Sequence, residues 1–193
     1  DFIALADGMT VKALANSLRE FESTIRREMQ SCMFFHMPGS QSEYYGKNML
    51  FGARVDVRIP ETQFDIKEAG NCYAMGRGTA CVFHLMRVME IGVQKLGDLL
   101  EVPLAHEKNW QVILDLVNKA VKELPANASK TVALSQVAAH LYNVKVGWRN
   151  PVMHPRETYT LEEAGDLIES VKVFMKTLSN LLPVPKNGPS LVK

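Results

Sequence analysis

Arg149 and His154 are the residues of this 193-residue chain whose types and spacing point most directly to chemistry. They stand in the run Trp148-Arg149-Asn150-Pro151-Val152-Met153-His154-Pro155. A guanidinium is always charged and grips phosphate oxygens through a bidentate fork. An imidazole titrates near neutrality and moves a proton as base or acid. Side by side, the two suit phosphate chemistry, the cation neutralising charge that builds in a transition state. In an unbroken helix, residues five apart diverge by about 140°. Pro151 changes that, because it has no N–H and disfavours helical backbone at Asn150. Asn150 then suits an N-cap and Pro151 the first turn of a short new helix, a kink that brings Arg149 and His154 to one side. On spacing alone a plainer arrangement has the better claim: Arg149 caps the preceding helix and His154 fills a polar turn.

Other site chemistries fail on spacing. No Glu precedes a His by three residues, which removes the carboxylate-bridged di-iron bundle. His106-Glu107 lacks the second His of a helical zinc site, and Cys32, Cys72 and Cys81 form no C-x-x-C pair. Gly76-Arg77-Gly78 opens like a nucleotide loop but continues to Cys81 with no strand before it, so helix packing explains it better. Asn127-Ala128-Ser129 reads as a helix start. No metal and no cofactor is expected.

The elements that must position the motif are helical. Val11, Leu14, Ala15, Leu18, Phe21, Ile25, Met29 and Cys32 step by three and four behind Thr10, giving a helix over about 10–33. A long irregular connection follows over 36–62, rich in Gly and Pro, with Ala53–Ile59 alternating as a short strand. The pattern from Ile66 to Leu100 predicts one long helix with breaks possible at Gly70, Gly76 and Gly78. Ala80, Phe83, Met86, Val93, Leu96 and Leu100 form its apolar face. Further helices span Glu107–Leu124, Ser129 to about Trp148, and Thr160–Leu182, the last opened by a T-x-x-E capping box of Thr160 and Glu163. The sum is an all-α, up-and-down bundle of about five helices. It reads as one domain over 1–183, with a C-terminal tail over 184–193.

Composition bounds the function. Lys plus Arg number 22 against 21 Asp plus Glu, a net charge of +1. That excludes a broadly basic nucleic-acid wrapper and leaves room for a local phosphate site. Three cysteines argue for a reducing compartment, and no apolar run is long enough for a membrane helix. The chain opens at Asp1 without a basic leader, so no signal peptide is read; it can be a piece of a longer protein, and a cytoplasmic one is expected.

Arg149-Asn150-Pro151-Val152-Met153-His154 resembles the R-x4-6-H motif of the HEPN superfamily (higher eukaryotes and prokaryotes nucleotide-binding), in which a polar residue directly follows the Arg. The stretch Glu68 to Glu90 is similar to one uncharacterised bacterial branch of it, and the helical order over 10–182 places the motif before the last long helix. The resemblance implies a HEPN-like helical bundle that forms a homodimer, with the motifs of two subunits facing each other. It implies a metal-independent endoribonuclease of the toxin–antitoxin, abortive-infection or phage-defence kind, with RNA as substrate and an antitoxin or other protein as partner. His154 would activate the ribose 2′-hydroxyl or protonate the leaving oxygen, and Arg149 would stabilise the phosphate. In some HEPN toxins a Tyr two residues after the His is nucleotidylated; here that position is Arg156, and Tyr159 is displaced. Apolar surface from about 67–100 and 130–155 is expected at the dimer interface.

Several other residues are candidates with two readings each. His84, Arg87 and Glu90 step by three on one helix. Either Arg87 and Glu90 support the motif, with Glu90 orienting Arg149 or His154, or they form an internal ion pair beside a core His84. Glu68 either accompanies the motif, as acidic residues do in relatives, or starts a helix. Arg77 is a phosphate contact or a solvated cation, and Trp148 a core or interface anchor. Against the ribonuclease stands a non-catalytic helical dimer that binds a protein partner, RNA or a nucleotide, a reading that the near-neutral charge favours.

Overall fold

A computed structural model of the chain describes residues 10–102, 109–125, 129–149 and 157–183. Regular structure among these residues is entirely helical. It comprises α1 (Val11–Gln30), α2 (Gly39–Ser42), α3 (Ala53–Arg58), α4 (Gln63–Ala74), α5 (Gly78–Leu99), α6 (Trp110–Glu123), α7 (Ser129–Val144) and α8 (Leu161–Leu181). A 3-10 turn at Pro60–Thr62 leads into α4, and a π-helical turn at Lys145–Arg149 extends α7. The all-α class agrees with the sequence. The 184–193 tail lies outside the described residues.

The chain divides into two units, 1–36 and 37–193. The first holds α1. The Thr10 hydroxyl accepts from the Ala13 N–H at 3.2 Å, the expected N-cap. Arg26 and Glu22 pair at 2.9 Å one turn apart. No residue of α1 is buried.

The second unit has its own core. The expected strand over 53–59 is instead α3. Val55 and Ile59 are four residues apart and both fully buried, and the Ile59 N–H donates to the Val55 carbonyl at 2.8 Å. A strand needs a neighbour to pair with its backbone, and the described residues contain none. The expected long helix is likewise two. After α4, Gly76 adopts φ +74°, its N–H donates to the Tyr73 carbonyl at 3.0 Å and that of Arg77 to the Cys72 carbonyl at 2.8 Å. This is a Schellman stop, which needs a left-handed residue just past the helix end.

The helix α5 is the central strut, packed against α4 and α8, while α7 packs between α6 and α8. Its buried side is Cys81, Val82, Leu85, Val88, Met89, Val93 and Leu96, whereas Phe83 of the expected apolar face is half exposed. A helix covered by neighbours on two sides buries a wider stripe than one face supplies. At the start of α8 the capping box forms as expected: the Thr160 hydroxyl accepts from the Glu163 N–H at 3.2 Å, and the Glu163 carboxylate accepts from the Thr160 N–H at 2.8 Å.

Candidate functional site

The motif begins where α7 stops being an α-helix. The sequence predicts regular helix to about Trp148, but Lys145–Arg149 winds as a π-turn. Such turns are rare and cluster at functional sites, because the widened turn re-aims the side chains that leave it. Arg149 is its last residue. The Arg149 side chain and residues 150–156, including Asn150, His154 and the position-156 arginine, lie outside the described residues. So does the kink expected at Pro151.

The two flanks of the motif are held together. The Trp148 and Tyr159 rings pack with centroids 5.7 Å apart. Trp148 is therefore the packing anchor the sequence suggests. The Tyr159 N–H donates to the Thr79 hydroxyl at 2.9 Å, at the first turn of α5. Gly78, one residue earlier, lies directly under this backbone: an added Cβ would sit 2.7 Å from the Thr160 carbonyl oxygen and nearer still to that of Tyr159. Only a residue without a side chain permits that approach. Arg77, the exposed residue before Gly78, is thereby placed next to the motif's C-terminal flank. The Tyr159 hydroxyl is buried and has no hydrogen-bond partner among the described residues. Burial first, then the charges of Glu157 and Glu163, push its phenol up. A buried hydroxyl is a poor acceptor for nucleotidylation.

The supporting candidates are held by partners of their own. Asp65 of α4, with a side chain 4% exposed, accepts from Arg87 Nε at 2.8 Å and pairs with His84 Nδ1 at 2.8 Å. An ionised carboxylate only accepts, so the His84 proton sits on Nδ1. Burial works to raise the Asp65 carboxyl, but the hydrogen bonds from Arg87 and then His84 outweigh it and hold the group below its ordinary value. The edge of the exposed Phe64 ring packs on His84, with centroids 6.3 Å apart. The expected Arg87–Glu90 ion pair is not what forms: Glu90 Oε2 accepts from the Trp110 indole at 2.7 Å, tying α5 to α6. Glu68 accepts from Asn71 Nδ2 at 2.8 Å, and the Asn71 side-chain oxygen Oδ1 accepts from the Gly46 N–H, fixing the 36–62 connection to α4.

Positions along α5 order these groups relative to the motif. From Thr79, at 1.5 Å per residue, His84 lies about 7.5 Å along the axis, Arg87 about 12 Å and Glu90 about 16 Å. His84 is therefore nearer the motif's flank than Glu90, which the sequence favoured as the orienting group. Sequence reasoning missed Asp65 and Thr79, and it named Tyr159 only as a displaced tyrosine, not as the packing partner of Trp148. Asp65 carries no signal of its own, since its partners stand 19 and 22 positions away.

Among the described residues no three His, Cys, Asp or Glu side chains group to hold a metal, and no helix is long and apolar enough to cross a membrane. No family model, curated protein or solved structure significantly matches the chain.

Proposed function

We propose that this chain is a HEPN-type metal-independent endoribonuclease of the toxin or phage-defence kind, cutting RNA through Arg149 and His154 at an interface between two copies. The observation that carries the reading is the way the motif is mounted. Arg149 ends a π-turn, and the residues flanking the motif are pinned to each other and to the first turn of α5. A rigid base is what a catalytic loop needs, because misplacement by about 1 Å costs orders of magnitude in rate.

In the step itself, His154 removes the proton of a ribose 2′-hydroxyl. The 2′-oxygen attacks the adjacent phosphorus, and the bond to the 5′-oxygen breaks. A second histidine, from the other copy, returns a proton to that leaving oxygen. Arg149 neutralises the phosphorane-like transition state. The products are a 2′,3′-cyclic phosphate and a 5′-hydroxyl. Arg77, next to the motif's flank, is suited to hold a neighbouring phosphate.

The test is incubation with total RNA in EDTA, beside Arg149→Ala and His154→Ala. The parent cleaves to cyclic-phosphate ends and both variants are silent. A parent that leaves RNA intact, or cleavage that survives His154→Ala unchanged, overturns the ribonuclease. The net charge of +1 favours a second reading, a non-catalytic helical dimer that binds a protein partner, RNA or a nucleotide. Binding of RNA without cleavage is its signature.

A further inference from the structure

One oxygen of Asp65 holds two side chains of α5. Its Oδ1 accepts from Arg87 Nε at 2.8 Å and pairs with His84 Nδ1 at 2.8 Å. The two nitrogens are therefore no farther apart than two such bonds laid end to end. Arg87 alone would neutralise the carboxylate. The second bond orients an imidazole, gripping one ring nitrogen and leaving the other for a ligand, as a carboxylate does for a working histidine. Phe64, Asp65, His84 and Arg87 all belong to the unit 37–193, so their mutual geometry is set within that unit.

The outward ends of these side chains are unused. His84 Nε2, across the ring from the held nitrogen, has no hydrogen-bond partner among the described residues, and neither have the two Nη groups of Arg87. Phe64 stands beside them. Its ring lies at 71° to the imidazole, which leaves at least one face of this exposed phenyl uncovered by His84.

We propose that this cluster is a binding site, separate from Arg149 and His154, for the phosphate monoester of a nucleotide: His84 Nε2 and the Arg87 fork hold the phosphate, and the base lies on Phe64. The guanidinium only donates, so its ligand offers several acceptors in one plane, as an oxyanion does. The imidazole narrows the choice. A phosphate monoester gives up its second proton near pH 6, and an imidazole its own at about 6.5. Near neutrality one proton is thus shared between Nε2 and a phosphate oxygen, and the bond survives whichever side carries it. A carboxylate, ionised from about pH 4, has no proton to share and is held only by the charged ring. The third part is the platform. Every base has a flat face that stacks on an aromatic side chain, whatever the sequence. The Phe64 ring centre is 6.3 Å from that of His84, and the phosphate lies beyond Nε2. A ribose between phosphate and base spans that gap, whereas a phenyl phosphate keeps its ring against the phosphate itself. The phosphate is that of a free nucleoside monophosphate or of a phosphorylated RNA end.

The experiment is calorimetric titration of the full chain with adenosine 5′-monophosphate, adenosine, inorganic phosphate, sulfate and O-phosphotyrosine, with the His84 ring signals followed by NMR. The expected order places the nucleotide first, inorganic phosphate weaker, sulfate weaker still, and adenosine without measurable binding; the nucleotide moves the His84 signals. Arg87→Ala and His84→Ala each weaken the nucleotide by roughly tenfold or more, the size of a lost charged hydrogen bond. Arg87→Lys weakens it too, because the fork is gone. Phe64→Ala weakens the nucleotide by roughly fivefold or more and leaves inorganic phosphate unchanged. Arg87 and Phe64 are exposed, so these variants keep the parent's melting transition and separate lost binding from lost fold. Short RNAs with and without a 5′-phosphate, titrated into Arg149→Ala, distinguish the two sources: a phosphorylated strand held more tightly than the nucleotide identifies an RNA end, and equal affinity a free nucleotide. Still His84 signals at millimolar nucleotide, affinity that survives Arg87→Ala and His84→Ala, adenosine bound as well as its phosphate, or O-phosphotyrosine bound more tightly than the nucleotide overturns the proposal. RNA cleavage by the parent is scored apart from this binding, so either reading can fail without the other.

Discussion

Asp65→Ala removes the one carboxylate that ties α4 to two positions of α5, and the structure sets the size of the effect. Hydrogen bonds to a charged group contribute about 1.5–3 kcal/mol when shielded from solvent. Arg87 is 66% exposed, so solvent screening leaves its bond to contribute little. His84 is 26% exposed and keeps more of its value, about 1–2 kcal/mol. The expected loss at neutral pH is therefore about 1–2 kcal/mol, set mainly by the His84 bond, or roughly 2–8 °C in melting temperature for a domain of this size. The pH dependence gives a sharper test. The folded-state pKa of Asp65 is depressed, so its stabilisation is present above the unfolded value of about 3.9 and disappears as pH falls through the lower folded value. Urea unfolding of parent and variant should differ at pH 7 and at pH 5 and converge in more acid solution. Asp65→Asn, which keeps an acceptor but no charge, should fall between the two. A variant within about 0.5 kcal/mol of the parent at pH 7, or a gap unchanged by acid, would refute the reasoning.

Three further outcomes follow from single positions. Gly78→Ala drives a methyl group into the Tyr159–Thr160 backbone and should cost about 1–3 kcal/mol by calorimetry, with loss of RNA cleavage because the motif's flank is displaced; Gly39→Ala, with open space around it, should be neutral within about 0.5 kcal/mol. Burial, then the neighbouring Cys72, pushes the Cys81 thiol from 9.0 to about 12, so the folded state favours the neutral thiol. Stability is then full below pH 9.0 and falls above it, by up to about 1.4 kcal/mol per pH unit, a decline that alkaline urea titration should find flattened in Cys81→Ala. Glu101 closes α5 in left-handed geometry at φ 56°, and Glu101→Gly should raise stability by about 1 kcal/mol in the same assay; a loss would show that the carboxylate makes a contact worth more than the strain.

Much of this protein is legible one turn at a time. The Thr10 cap, the Thr160–Glu163 box, the stop of α6 before Pro125 and the amphipathic stripe of α1 are properties of residues within four positions of each other, the range over which helix hydrogen bonds and caps act. The residue types of the motif, Arg149, Asn150 and His154, are legible for the same reason. Where a local pattern fits two structures, packing decides. Val55, Val57 and Ile59 alternate like a strand, yet Val55 and Ile59 also stand one helical turn apart, and burial of both in a helical core selects α3. Arg87 has Glu90 within reach on its own helix but bonds Asp65 of α4, because a nearly buried carboxylate must find donors while Glu90 can serve the Trp110 indole. Gly78 reads as a helix-weakening residue until the backbone of Tyr159 is laid across it. The Thr79–Tyr159 hydrogen bond beside that contact joins residues 80 positions apart, and no rule confined to neighbours in the chain can reach so far.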